Sequence, residues 1–146
     1  MSVKSEKTLN LEFKIHGIEL LEKTFRTPNM DEEKLPDTQF ELSISLSIDK
    51  FNKRIINILN VKVKAANDHS TVATITVLCS FDITNFDEVV IFSGKSITMP
   101  DPIIETLNII TIGTVRGIMF NEFKGTWLHN HLLPVMDPKS FKQATE

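Results

Sequence analysis

The chain has no tyrosine, one tryptophan, one cysteine and only five glycines. Each shortage excludes something. Without tyrosine and with Trp127 alone, an aromatic platform for sugars or nucleobases has little to build on, although phenylalanine is plentiful. A single cysteine rules out an intrachain disulfide framework and a four-cysteine zinc site. Cys79 falls in mid-strand on the apolar side and reads as a small core hydrophobe, not a reactive thiol. A net charge of −3 lacks the basic bias of a dedicated nucleic-acid binder. Met1–Asn10 is polar and has no apolar signal-peptide core. No uninterrupted apolar run is long enough for membrane insertion, so a cytoplasmic location is expected.

What the sequence does have is alternation. In a strand, successive side chains point to opposite faces, so strict alternation demands one dry face and one wetter face. Phe40, Leu42, Ile44, Leu46 and Ile48 oppose Glu41, Ser43, Ser45, Ser47 and Asp49. Ile55, Leu59, Val61, Val63 and Ala65 oppose Arg54, Asn60, Lys62 and Lys64. Ala73, Ile75, Val77, Cys79, Phe81 and Ile83 oppose Thr74, Thr76, Ser80 and Asp82. Short connections around Lys50–Lys53 and Asn67–Ser70 suit antiparallel hairpins.

An earlier strand starts at Leu9, Leu11, Phe13 and Ile15 and continues past Gly17, where Ile18, Leu20 and Leu21 mark a bulge or a change of face. His16 falls on its polar side. Thr27–Asp37 is a long connection with Pro28, Pro36 and the charge run Asp31–Lys34, with room for a helical turn over Asp31–Leu35. It is too long for a tight hairpin, so the first strand need not pair with the second. Pairing with the fourth instead would give sheet order 2-3-4-1.

Val89–Phe92 fits a short helix or a strand, ended by Gly94. One long helix follows, with Asp101 as N-cap, Pro102 in the first helical position and Gly125 as the stop. Its main stripe holds Ile103, Ile104, Leu107, Ile110, Thr111, Val115, Ile118, Met119 and Phe123. Ile109 and Ile112 lie off that stripe. A helix covering one sheet would keep a polar back, so both residues are assigned to an oligomer interface. The bland alternative is that the C-terminal segment folds over them.

Chemistry is hard to find. There is no phosphate-cradling glycine loop, nucleophile elbow or helical H-E-x-x-H. His129 and His131 offer two imidazoles, but zinc wants three or four protein ligands and no third is evident. Asp31, Glu32 and Glu33 read as a solvated charge run, and so do Asp87 and Glu88. The residues therefore imply no enzyme, no metal and no cofactor. They define an α+β body with apolar surface for other chains.

Several residues then resemble a known family. The order is Phe13-x-Ile15-x-x-Ile18, Phe25-x-x-Pro28-Asn29, three alternating strands closing on Cys79-x-Phe81-x-Ile83, then Met99-Pro100-Asp101-Pro102-Ile103-Ile104. Val115-Arg116-Gly117 and Leu132-Leu133-Pro134 follow. From Leu11 to Pro138 this resembles the SecB family of protein-export chaperones. The resemblance implies a four-stranded antiparallel sheet packed with one long helix, assembled as a dimer of dimers, hence a homotetramer. It implies a holdase for unfolded polypeptides that needs neither nucleotide nor metal. By the same resemblance Phe25, Pro28, Leu35, Pro36 and Phe40 lie near the client. Residues 1–8 would be a flexible leader, 9–138 the domain and 139–146 a short tail.

Three departures accompany it. Glu22 matches one acidic residue of the family's docking surface for the SecA motor, but Arg26 and Thr74 stand where acids are expected. The connection after the first strand lacks the family's tryptophan, and the tail after Pro138 is short. SecB-like chaperones of toxin–antitoxin pairs, and a dedicated protein-interaction module, are the alternatives to an export role.

Overall fold

The computed structural model describes residues 11–27 and 35–135. The expected leader and tail, Pro28 and the Asp31–Glu33 run lie outside the described residues. Along the chain come β1 (Phe13–Phe25), β2 (Thr38–Asp49), β3 (Arg54–Ala65), β4 (Thr71–Ile83), α1 (Phe86–Val89), β5 (Ile91–Ser93), β6 (Ser96–Thr98) and α2 (Asp101–Glu122).

The four long strands form one antiparallel sheet in the order β1-β4-β3-β2. This is the crossover order raised from the length of the connection after β1. Turn chemistry sets the hairpins. Between β2 and β3, the Asp49 carboxylate accepts from the Asn52 backbone at 3.1 Å and its side-chain amide at 2.8 Å, while Lys53 is left-handed at φ 56. Between β3 and β4, Asp68 accepts from the Ser70 amide at 2.9 Å, with His69 at φ 59. These side-chain turns replace the ladder bonds that a reversing backbone gives up.

β1 does not keep a single alternation. Its register against β4 breaks between Ile15 and Gly17 and again between Leu20 and Glu22. Each break adds one unpaired residue, His16 and then Leu21, and each resets which side chains face the core. Phe13, Ile15, Ile18, Leu20 and Phe25 thereby oppose Ile83, Phe81, Cys79, Val77 and Ala73. One interrupted pattern yields one largely apolar face, broken only by Lys23 opposite Ile75.

After β4 the chain resolves both readings of Val89–Phe92. α1 ends at Val89, and β5 then pairs with β6 around Gly94 at φ 63. In α2 the expected cap is corrected by one residue. Pro100 is the N-cap, with extended backbone and no side-chain bond, and Asp101 opens the helix with Pro102 behind it. Asp101 thus puts its carboxylate in the first turn, against the positive end of the helix dipole. The helix stops at Glu122 with Phe123 as C-cap, and left-handed Gly125 (φ 81) follows two residues later.

α2 lies over β3 and β4. Its Ile103, Leu107, Ile112, Val115 and Met119 close the core against Ile55, Leu59, Val61, Ile75, Val77 and Phe81. Length and hydropathy alone would let this 22-residue helix cross a membrane. Here that apolar character serves the sheet. Ile112 needs a correction: it is only 4% exposed, within the core of its own chain. Ile109, at 53%, is exposed. The buried arc is wider on the Ile112 side than the sequence stripe indicated, so only one of the two assigned interface residues remains at the surface.

Candidate functional site

Among the described residues, an exposed apolar row runs along β1. Ile15, Ile18 and Leu20 face the same side as the core, yet are 46%, 45% and 41% exposed. The cause is geometric. β1 is an edge strand, and the helix that seals the core lies over the inner strands, more over β3 than over β1's neighbour β4. Leu21, pushed out by the second bulge, is exposed beside them. Charged residues sit along the same strand on the opposite face: Lys14 opposes Asp82, Glu19 opposes Leu78 and Glu22 opposes Thr76. An apolar strip of this size, backed by charge on the strand's other face and ended by Lys23 on its own, offers area to another chain.

The C-terminal end of β1 is closed differently. Lys23 reaches Glu122 at 2.9 Å, and the Phe25 ring meets Phe123 at 6.0 Å. From there the chain after α2 crosses the end of the sheet. The Trp127 indole donates to the Arg26 carbonyl at 3.3 Å, and its ring meets that of His131 edge-on at 5.5 Å. His131 Nδ1 lies 2.8 Å from the Thr38 hydroxyl at the start of β2. The Arg116 guanidinium then holds the Leu133 and Pro134 carbonyls at 2.6 and 2.9 Å. One segment therefore ties β1, β2 and α2 together. Its sequence is irregular, and only the cluster of Trp127, His129 and His131 in Thr126–Pro134 hints at this.

Of the residues assigned to clients, Phe25 is 37% exposed and Leu35, Pro36 and Phe40 are half-buried. Register relates the two aromatics. Phe25 opposes Ala73, Ala73 opposes Val63, and Val63 opposes Phe40, so both phenylalanines stand in one cross-strand row. They occupy opposite edges, roughly 14 Å apart at about 4.8 Å per strand, with buried Ala73 and Val63 between them. Phe40 packs on the core. The structure brings Phe25 beside the apolar row of β1, and it sets Phe40 apart from it.

The outer face of the sheet is mixed, with half-buried Ile56, Ile58 and Leu78 among polar residues. Asn60 donates to Thr76 at 2.7 Å and Thr76 to Glu22 at 3.4 Å, forming a chain across three strands. Arg26 donates to the Thr71 carbonyl at 3.0 Å, and Thr74 is buried. Asp82 gathers Arg54 at 2.7 Å and His16 at 3.3 Å. The Arg54 hydrogen bond, aided by the charges of Arg54, His16 and Lys14, holds the Asp82 carboxyl below its ordinary range. Burial pushes the Cys79 thiol up, away from the thiolate. No group of three or more His, Cys, Asp or Glu side chains gathers among the described residues.

This is an α+β protein with exposed apolar rows among its described residues. No protein-family model matches the sequence, and no curated protein matches it. Solved structures do. One is the Mycobacterium tuberculosis SecB-like chaperone Rv1957, in complex with a ChAD peptide from the Rv1956 HigA1 antitoxin. It is 13% identical with a TM-score of 0.48, over 76% of this chain and 78% of that one. Another is a Streptococcus agalactiae protein of unknown function, 15% identical with a TM-score of 0.43, over 80% of this chain and 90% of that one. At such identities the likeness concerns the fold alone.

Proposed function

We propose that this chain is a SecB-like, ATP-independent holdase of the cytoplasm that binds non-native polypeptides through the uncovered apolar side of β1. The observation that carries the reading is the row Ile15, Ile18 and Leu20, which faces the core side without a cover and ends at Phe25, packed on Phe123. Burial there gains about 25 cal/mol per Å² whatever the client's sequence, which suits a protein that must hold many clients. The sequence resemblance from Leu11 to Pro138 supports the same class.

The working form in this proposal is a homo-oligomer, with a tetramer favoured. Ile109 and Phe120, 53% and 48% exposed on α2, supply the subunit contact, and Ile112 supports them from inside. Between export and a dedicated role outside it, such as serving a toxin–antitoxin pair, the sheet face favours the second. Glu22 has no acidic company from Arg26 or Thr74, so docking to SecA is weak in this reading.

The test is aggregation suppression of several unrelated unfolded proteins without nucleotide. A holdase protects all of them at near-stoichiometric ratios, and Ile18→Ser with Leu20→Ser lowers that protection while the chain stays folded. Protection of one protein only would replace the reading with a dedicated module. Protection of none would remove it.

A further inference from the structure

The sheet–helix core contains a polar group with no place in an apolar interior. Asn57 points into the core from β3, is fully buried, and meets Asn108 and Thr111, also buried, on α2. Its side-chain amide donates to Asn108 Oδ1 at 3.2 Å and to Thr111 Oγ1 at 3.1 Å. Thr111 gives its own proton to the Leu107 carbonyl at 2.8 Å, leaving its oxygen free to accept. Both amide hydrogens are thus used across a single helical turn, while Asn57 Oδ1 has no hydrogen-bond partner. A buried acceptor left unpaired offsets part of what the two donated bonds contribute, and buried polar groups can serve specificity as well as stability.

Sliding α2 along the sheet shows what that is. The buried positions are Ile103, Leu107, Asn108, Thr111, Ile112, Val115 and Met119. Moving the residue three or four places later in sequence into each would bury Glu122 or Arg116. Moving the residue three places earlier would bury Glu105 and Arg116. Moving the residue four places earlier buries no charge: Met99 and Ile104 enter the core, while Ile103, Leu107, Asn108, Thr111 and Val115 stay in it at new positions. Charge patterning alone therefore tolerates that one slip, a shift of about 6 Å along the helix, which would carry Asn108 and Thr111 to the sites of Ile112 and Val115. Asn57 does not. It would face Ile104 and Leu107, with both donors unpaired in a dry interior. The slip would also put Glu105 and Arg116 on the surface in place of Ile109 and Phe120.

We propose that Asn57 is a positioning residue, a register lock that selects which face α2 presents to a second copy of this chain. This rests on the assembly reading above. The experiment replaces the fork by Asn57→Val with Asn108→Leu and follows α2 amide resonances together with the subunit dissociation constant. The expected result is a melting temperature no lower than that of the parent, a second set of α2 resonances and at least tenfold weaker association. Adding Ile104→Lys, which would bury a charge only in the slipped register, should restore a single set and association to within threefold. A purely structural role for Asn57 would not be rescued in this way.

One set of resonances with parental association in the double variant would overturn the proposal, as would failure of Ile104→Lys to rescue. Should the double variant not fold, Asn57→Ser, too short to reach either acceptor, is read by the same criteria. A parent chain that is monomeric would refute the assembly reading alone, and the resonances would still decide the lock.

Discussion

Ile109 and Ile112 stand three residues apart on α2, and their fates under mutation should be opposite. Ile112 is 4% exposed in the single chain, so Ile112→Ala leaves a cavity in a filled core. Such truncations cost about 2–5 kcal/mol. For a chain of this size each kcal/mol lowers the melting temperature by about 2–4 °C, so a loss near 3 kcal/mol should cost roughly 10 °C. Ile109 is 53% exposed, and Ile109→Ser should change the isolated chain by less than about 0.5 kcal/mol. Fully burying an isoleucine gains about 1.5–3 kcal/mol, so the half still open is worth roughly 1 kcal/mol per copy. A two-fold contact uses it twice. Losing roughly 2 kcal/mol raises the dissociation constant about 30-fold, at 1.4 kcal/mol per decade. Sedimentation across a concentration series reads the dissociation constant, and melting of dilute monomer reads the stability, because assembly itself raises apparent stability. Unchanged association in Ile109→Ser would refute the reasoning. So would an Ile112→Ala protein that dissociates without melting earlier.

Four further outcomes are expected. A Cβ built on Gly117 meets nothing within 4 Å, so Gly117→Ala should stabilise the isolated chain by up to about 1 kcal/mol, and thermal melting that falls instead would contradict the helix geometry. Leu35→Ser should cost little stability, because Leu35 is only half-buried, yet weaken client holding; lost stability with unimpaired holding would remove Leu35 from the client surface. Asp82 has a folded pKa below its unfolded value, so its stabilisation is complete above roughly pH 3.9 and disappears as pH falls through the folded pKa. Asp82→Asn should therefore be less stable at neutral pH and flatter in its acid unfolding curve; a curve of parental shape would refute this. Binding of SecA to the sheet face should be weak or absent in calorimetry, and micromolar affinity would show that Glu22 and its neighbours suffice.

Local pattern determined a great deal here. Alternation over Phe40–Ile48, Ile55–Ala65 and Ala73–Ile83 names β2, β3 and β4 and the face each buries, because a strand's period of two is written in consecutive residues. The length of the Thr27–Asp37 connection raised the crossover order, and helical spacing placed α2 to within a residue at its start. What only the tertiary structure decided depends on partners distant in sequence. The bulges at His16 and Leu21 exist only relative to β4, so the exposed side of β1 could not be read from β1 alone. Ile112 joins the core because the buried arc of α2 is set by how the helix sits on β3 and β4, not by its own stripe. Asn57 looks like a flaw in a strand until Asn108 and Thr111, on another element, receive its two hydrogens. Trp127 and His131 lie in an irregular segment whose form comes from Arg26 and Thr38 at the sheet's end. Periodicity is local and survives in sequence, whereas edges, registers and polar pairings belong to contacts between elements.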